Sequence, residues 1–261
     1  MNDIRYALLD PTGNLTVLVE TAVQPENQPG IAKQIMEREP EAEQVGFLSQ
    51  DPDGIALRMA GGEFCGNAAM SAAVLCAMDR GIPDGIVPVA VAGQPEPVLV
   101  SVTALPDGAM RGTLTMPDPV SVGEERFPDG ALRPVVRFRG ISHVILEAPL
   151  NRKTAEASAP VWCRLLGAES LGIMMLDRTA QTLVPLVYVP AADTLFWENS
   201  CASGTSAVGA FLAAEQGPGS WSLRQPGGSL RVEVSAAGKI LLTGTVRLRY
   251  RRHMPIRAES R

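Results

Sequence analysis

The 261-residue chain carries 23 Lys and Arg against 28 Asp and Glu, a formal charge of −5, with 46% apolar and 20% charged residues. That balance excludes a disordered chain and argues against nucleic acid as the main partner. No apolar run reaches the roughly 18–20 residues that span a bilayer, and the opening MNDIRYALLD lacks the basic flank and long apolar stretch of an export signal.

The expectation is therefore a cytoplasmic protein with no membrane partner, its four cysteines (Cys65, Cys76, Cys163, Cys201) kept as reduced thiols. In chain order, a β-rich run GNLTVLVE begins at Gly13 and a second apolar stretch centres on Gly46. GGEFCGNAAM (61–70) then sets Cys65 directly before an apolar run, Ala68 to Met78, that predicts a helix buried on all sides. Gly81 follows it, in the place of a left-handed C-cap. After the strand-like GQPEPVLVSV comes PDPVSVGEERFPDGALRP (117–134), whose Pro, Gly and charge read as a linker.

Beyond it the pattern returns. GISHVILE begins at Gly140, 127 residues after Gly13, and LGI centres on Gly172, 126 after Gly46. ENSCASGTSA (198–207) sets Cys201, 136 residues after Cys65, before a second apolar helix that stops at Gly217. RQPGGSLRVEV repeats the Gln-Pro pair of Gln94 at Gln225, 131 residues on. A period near half the chain length predicts an internal duplication. The expected fold is α/β (α+β), with two similar domains, 1–118 and 132–246, each a strand-rich, barrel-like sheet around one central helix. The basic tail 247–261, RLRYRRHMPIRAESR, reads as a solvated extension.

A thiol at a helix start meets free backbone N–H groups and the positive end of the helix dipole. Both favour thiolate, so Cys65 and Cys201 are candidates for lowered pKa values. The same N–H groups can hold a carboxylate. With the two helix starts on a shared cleft, one thiolate could remove a Cα proton while the other thiol delivers one to the opposite face, inverting the centre. Cys76 and Cys163, amid apolar neighbours, read as core residues. A structural zinc site is not expected, since only His143 and His253 could join the cysteines and neither has ligand spacing. A pyridoxal cofactor is not expected either. Lys33 lies in a polar helix-like stretch, Lys153 in the loop-like LNRKTAE and Lys239 in a turn, none beside a phosphate-binding glycine loop.

PTGNLTVLV (11–19), EQVGF (43–47), GGEFCGNAAMS (61–71), PLVYVP (185–190), LFWENSCASGTSA (195–207) and RQPGGSLRV (224–232) resemble the diaminopimelate epimerase superfamily of cofactor-independent racemases. The likeness is closer to the histidine racemases of staphylopine-type metallophore biosynthesis. The resemblance implies catalytic Cys65 and Cys201, with Glu43 sharing in proton handling. It implies a substrate site that includes Asn14, Gly66, Asn67, Ala202, Ser203, Glu198 and His143, with Glu198 capping or orienting the Cys201 helix. It also implies a homodimer acting on a small amino acid with no metal or cofactor. Two positions depart from the pattern: Gly62 stands where asparagine is expected, and Ala202 where glycine is. No Arg or Lys occurs between Arg178 and Arg224, so the cation that holds the distal carboxylate of diaminopimelate has no counterpart there. Histidine racemisation leads, with diaminopimelate epimerisation, racemisation of another amino acid and a non-catalytic carboxylate-binding module as alternatives.

Overall fold

Alternating apolar and polar residues form most of the strands. In β5 (Asp84–Val91) and β6 (Val98–Ala104), paired antiparallel, Val87, Val89, Val100 and Val102 are buried while Ile86, Leu99 and Ser101 face outward. A computed structural model describes residues 3–50 and 54–256, in two compact units: Met1–Leu114 with Thr243–Arg261, and Thr115–Leu242.

In the first unit, β1 (Asp3–Pro11), β2 (Thr16–Val19), β3 (Gln44–Gln50), β4 (Ile55–Met59), β5, β6 and β7 (Met110–Thr115) follow in sheet order. The long strand β16 (Ile240–Pro255) lies beside β7 and also pairs antiparallel with β1, which closes eight strands on themselves. The pairs β2–β3 and β4–β5 are parallel. Parallel neighbours need a crossover, and α1 (Gln28–Arg38) and α2 (Gly66–Arg80) provide the two. Outside the sheet, α1 lays Ile31, Ala32 and Ile35 on Tyr6, Val17 and Phe47. The central α2 touches β1, β2, β4, β5 and β6 and is buried along its whole length from Gly66 to Ala77.

The second unit repeats the scheme. Its sheet order runs β8 (Ser121–Arg126), β9 (Leu132–Phe138), β10 (Ile141–Leu146), β11 (Leu171–Asp177), β12 (Thr182–Val189), β14 (Gly219–Gln225), β15 (Gly228–Val234) and the first residues of β16. A short β13 (Thr194–Trp197) lies off this path and pairs with β12. Again two parallel pairs, β10–β11 and β12–β14, are bridged by helices, α3 (Arg152–Leu165) and α4 (Ala202–Gln216). Helix α4 is buried from Gly204 to Leu212, and a Cβ at Gly209 would fall 2.5 Å from Val232 of β15. Small residues let this helix sit against the strands that surround it.

Several sequence expectations change. The run 117–134 is no linker: it holds β8 and the start of β9, joined by a tight turn in which the Phe127 N–H donates to Ala131 O and Gly130 takes φ 81°. Its Pro and Gly residues serve a hairpin. The tail from 247 to 255 is no solvated extension but the end of β16, paired with β1 from Asp10 to Asp3. Its arginines are matched to acids: Arg247 to Asp107, Arg249 to Asp10, Arg251 to Asp79 and Arg252 to Glu39. Residues 257–261 lie outside the described residues. Lys153 belongs to α3, whose N-cap Asn151 accepts the Thr154 N–H at 2.9 Å, so the LNRKTAE segment is a helix start. Gly81 makes the left-handed cap expected of it, at φ 65° and ψ 34°, whereas Gly217, at φ 86° and ψ 179°, does not.

The β16 end is fastened by one buried carboxylate. Glu39 Oε1 accepts the Tyr6 hydroxyl at 2.6 Å and Glu39 Oε2 accepts the Tyr250 hydroxyl at 2.6 Å, with Arg252 3.2 Å away. Burial works to raise the Glu39 carboxyl, but the donors from Tyr250, Tyr6 and Arg252 bring it below its ordinary value. Burial and the nearby Glu39 charge push Tyr6 up to about 12. Glu39→Leu leaves the Tyr6 hydroxyl buried and unpaired, at an expected cost of about 1–3 kcal/mol. Urea unfolding checks this, and an unchanged midpoint would contradict it.

Candidate active site

Both cysteines singled out by the sequence are helix N-caps. Cys65 has extended backbone (φ −129°, ψ 114°) and its Sγ accepts the Ala68 N–H at 3.4 Å. Cys201 repeats the geometry (φ −123°, ψ 111°), its Sγ accepting the Gly204 N–H at 3.3 Å. A sulfur thus takes the place usually held by a Ser or Asp oxygen. Gly66 and Asn67 open α2, and Ala202 and Ser203 open α4. Their N–H groups belong to the first turn, which has no acceptor within the helix and suits an anion. Ala202 is helical, so glycine is not required there. Gly62 has φ 78°, a region that glycine and asparagine enter most readily.

In the first unit a chain of hydrogen bonds leads to Cys65. Parallel pairing sets Thr16 of β2 opposite Gln44 of β3. Gln44 donates from Nε2 to Thr16 Oγ1 at 3.0 Å and to Asn14 Oδ1, while Asn14 Nδ2 donates to Glu43 Oε2 at 2.6 Å. The Cys65 S–H donates to Gln44 Oε1 at 3.0 Å. Ionised, Glu43 can only accept, so its charge fixes the direction of both amides and leaves Oε1 as the atom facing the thiol. Sequence reasoning brought out Glu43 and Asn14 but passed over Gln44, which joins them to Cys65. The signal was present in EQVGF, where a polar residue opens the strand just ahead of the apolar run from Val45 to Leu48.

In the second unit Cys201 is 5% exposed. Burial is the main cause that pushes its thiol well above the ordinary cysteine value. The neighbouring Glu198 charge and its hydrogen bond to the thiol add to that, and Ser203 (Oγ at 3.5 Å) and the Gly204 N–H offset only part. The expected lowering at a helix start is therefore reversed for Cys201. Desolvation and a carboxylate outweigh one backbone donor. Cys201 is the N-cap of α4, and Glu198 lies three residues before it, hydrogen-bonded to its thiol.

His143 of β10 is fully buried and pairs across to Gly172 of β11, where a methyl group would collide with the imidazole. The two positions correspond to Thr16 and Gln44 of the first unit, so a large ring opposite a glycine replaces a small hydroxyl opposite a glutamine. The Met174 side chain packs against both position 172 and position 204, beside Cys201. Neither His143 ring nitrogen has a hydrogen-bond partner among the described residues, and burial pushes its pKa down to about 3. The imidazole is neutral.

The model described as the histidine racemase CntK N-terminal domain matches residues 3–249. The chain belongs to the histidine racemase CntK family. A histidine racemase of Fusobacterium nucleatum is 33% identical over 260 residues, covering 91% of this chain and 97% of that protein. One from Staphylococcus aureus is 29% identical over 244 residues, 88% of each. Among solved structures, a hydroxyproline epimerase from Agrobacterium vitis with bound trans-4-OH-L-proline matches with a TM-score of 0.70 at 13% identity, covering 96% of this chain and 92% of that one. That likeness establishes the shared fold. This member of the histidine racemase CntK family is an isomerase, an amino-acid racemase. Among its described residues no helix is long and apolar enough to cross a membrane.

The state of His143 in this racemase has a consequence for stability. Its folded pKa, about 3, lies below the ordinary 6.5, so between those values the unfolded chain holds more protons. Stability is therefore lost as pH falls from about 6.5 toward 3, by up to about 1.4 kcal/mol per pH unit. His143→Leu, which does not titrate, is expected to flatten the fall in unfolding free energy between pH 7 and pH 5. Equal slopes in urea titrations of the two proteins would contradict this.

Proposed function

We propose that this racemase interconverts L- and D-histidine without a cofactor, using Cys65 and Cys201 as the two acid–base groups. The observation that supports this most strongly is the repeated N-cap: one thiol per unit, each at the start of a buried helix with the same backbone angles. Two groups on opposite faces invert Cα directly: one takes a proton from one face and the other supplies one to the opposite face. A single base fixed on one face returns the proton to the face it came from.

The two thiols are set up differently for these tasks. Cys65 is held as a thiol by Gln44 Oε1, ready to give its proton. Burial and the Glu198 carboxylate keep the proton on Cys201 in the substrate-free enzyme; its conversion to thiolate follows substrate binding, with the hydrogen-bonded Glu198 as the proton acceptor. In the forward step that thiolate takes the Cα hydrogen as H⁺, the electron pair remains on the substrate, and the Cys65 S–H protonates the other face. The roles exchange in reverse. First-turn N–H groups of α2 and α4 receive the substrate carboxylate and the negative charge that grows beside it. Glu43 acts through Asn14 and Gln44, as a positioning residue for Cys65. His143 supplies a neutral imidazole whose hydrogen bonds are made to bound substrate. The working form is a cytoplasmic homodimer acting on free amino acid, and its D-histidine product serves metallophore assembly, as the sequence resemblance implies.

Proton NMR in D₂O, on enzyme dialysed against chelator and given no pyridoxal phosphate, tests the reading. L-histidine is expected to lose its Cα–H signal, and Cys65→Ser and Cys201→Ser each to slow that loss by about 10²–10⁴-fold. Exchange of proline, alanine or diaminopimelate in place of histidine would overturn the substrate. Undiminished racemisation by either serine variant would overturn the two-thiol mechanism.

A further inference from the structure

We infer that Gln225 is a positioning residue for Cys201, holding the thiol in place through its backbone; this rests on the catalytic role proposed for Cys201. Gln225 ends β14, at the turn into β15, and is 5% exposed. Its Oε1 accepts the Cys201 N–H at 2.9 Å, and its Nε2 donates to Thr205 Oγ1 at 2.8 Å. The fully buried Thr205 hydroxyl then donates to Cys201 O at 2.7 Å.

These three bonds form a ring whose direction is fixed at both ends. A backbone N–H can only donate and a carbonyl can only accept, so the amide has one orientation and the hydroxyl one role. The ring grips the peptide groups on both sides of the Cys201 Cα, and so fixes its φ and ψ. With those angles Sγ accepts the Gly204 N–H at 3.3 Å. One residue past the Gln225–Pro226 pair, the Gly227 N–H donates to Asn199 O at 2.8 Å, so the β14–β15 turn also holds the irregular segment leading into Cys201.

A comparison with the first unit marks the device as specific. There a glutamine amide, from Gln44, bonds the thiol itself. In the second unit the glutamine bonds the backbone and leaves the Cys201 sulfur to Glu198, Ser203 and Gly204. Gln94, the counterpart of Gln225 by sequence spacing, is half-buried in a turn after β5, its N–H bonded to Val91 O. Sequence repetition and structural role part company at this pair.

A thiol that must meet Cα within a fraction of an ångström is sensitive to such a brace; misplacement by about 1 Å can cost about 10²-fold in rate. Gln225→Leu is expected to lower kcat for L-histidine racemisation by about 10²-fold with KM changed less than about threefold. Thr205→Val should fall likewise, and Thr205→Ser, which keeps the hydroxyl, should retain kcat. Circular dichroism and thermal unfolding establish the folded fraction, so that kcat is counted per folded chain. A purely structural role would lower Tm and leave that kcat unchanged. The inference fails if Gln225→Leu keeps kcat within about twofold, or if Thr205→Val and Thr205→Ser behave alike. If Gln225→Leu does not fold, the Thr205 pair decides. Cys201→Ser separates the two levels: an active Cys201→Ser overturns the proposed mechanism, whereas an inactive one beside a fully active Gln225→Leu overturns only the brace.

Discussion

The backbone N–H groups in the first turn of a helix have no partner within the helix, and in this protein a sulfur takes one of them, twice. That contact requires a helix start with extended backbone at the cysteine and small residues directly after it. It also requires a helix that does not move. Burial of α2 and α4 among the strands meets the last need, and burial in turn demands their alanines, glycines and hydroxyls bonded back to the helix, as Thr205 and Ser206 are to the carbonyls of Cys201 and Ala202. The reactive group is thus attached to a helix enclosed along most of its length.

Duplication provides two such thiols, and divergence gives them different surroundings. In the first unit the parallel pair β2–β3 carries polar side chains, Thr16 and Gln44, that reach Cys65 through hydrogen bonds. In the second unit the matching pair carries His143 and Gly172, and the cysteine instead meets a carboxylate in a dry setting. A racemase treats mirror-image substrates, yet its own two halves are not mirror images. Each thiol needs a different route for losing and regaining its proton.

Much of this was legible in the sequence. Cys65 and Cys201 stood out because an all-apolar helical run directly after a thiol is a conjunction of two signals, and the repeated order of strand-like runs around those two helices pointed to the duplication. What escaped was set by partners distant in sequence. The arginines of β16 read as a solvated tail because the acids that match them, from Asp10 to Asp107, lie more than a hundred residues away. The Pro- and Gly-rich 117–134 looked like a linker because hairpin turns use the same residues. Gly172 was aligned with Gly46 on local similarity, whereas the strand register sets it against the position of Gln44. The pKa of Cys201 was misjudged because helix position is visible in a sequence and desolvation is not.

In the two-thiol mechanism the proton taken from Cα and the proton returned to it belong to different thiols. L-histidine deuterated at Cα and incubated with the enzyme in ordinary water tests it most directly, sampled while little product has formed. Two thiols would give D-histidine carrying a solvent proton at Cα and recovered L-histidine that still carries deuterium. D-histidine retaining the deuterium would mean that one group carries the hydrogen from face to face, and the two-thiol account would be wrong.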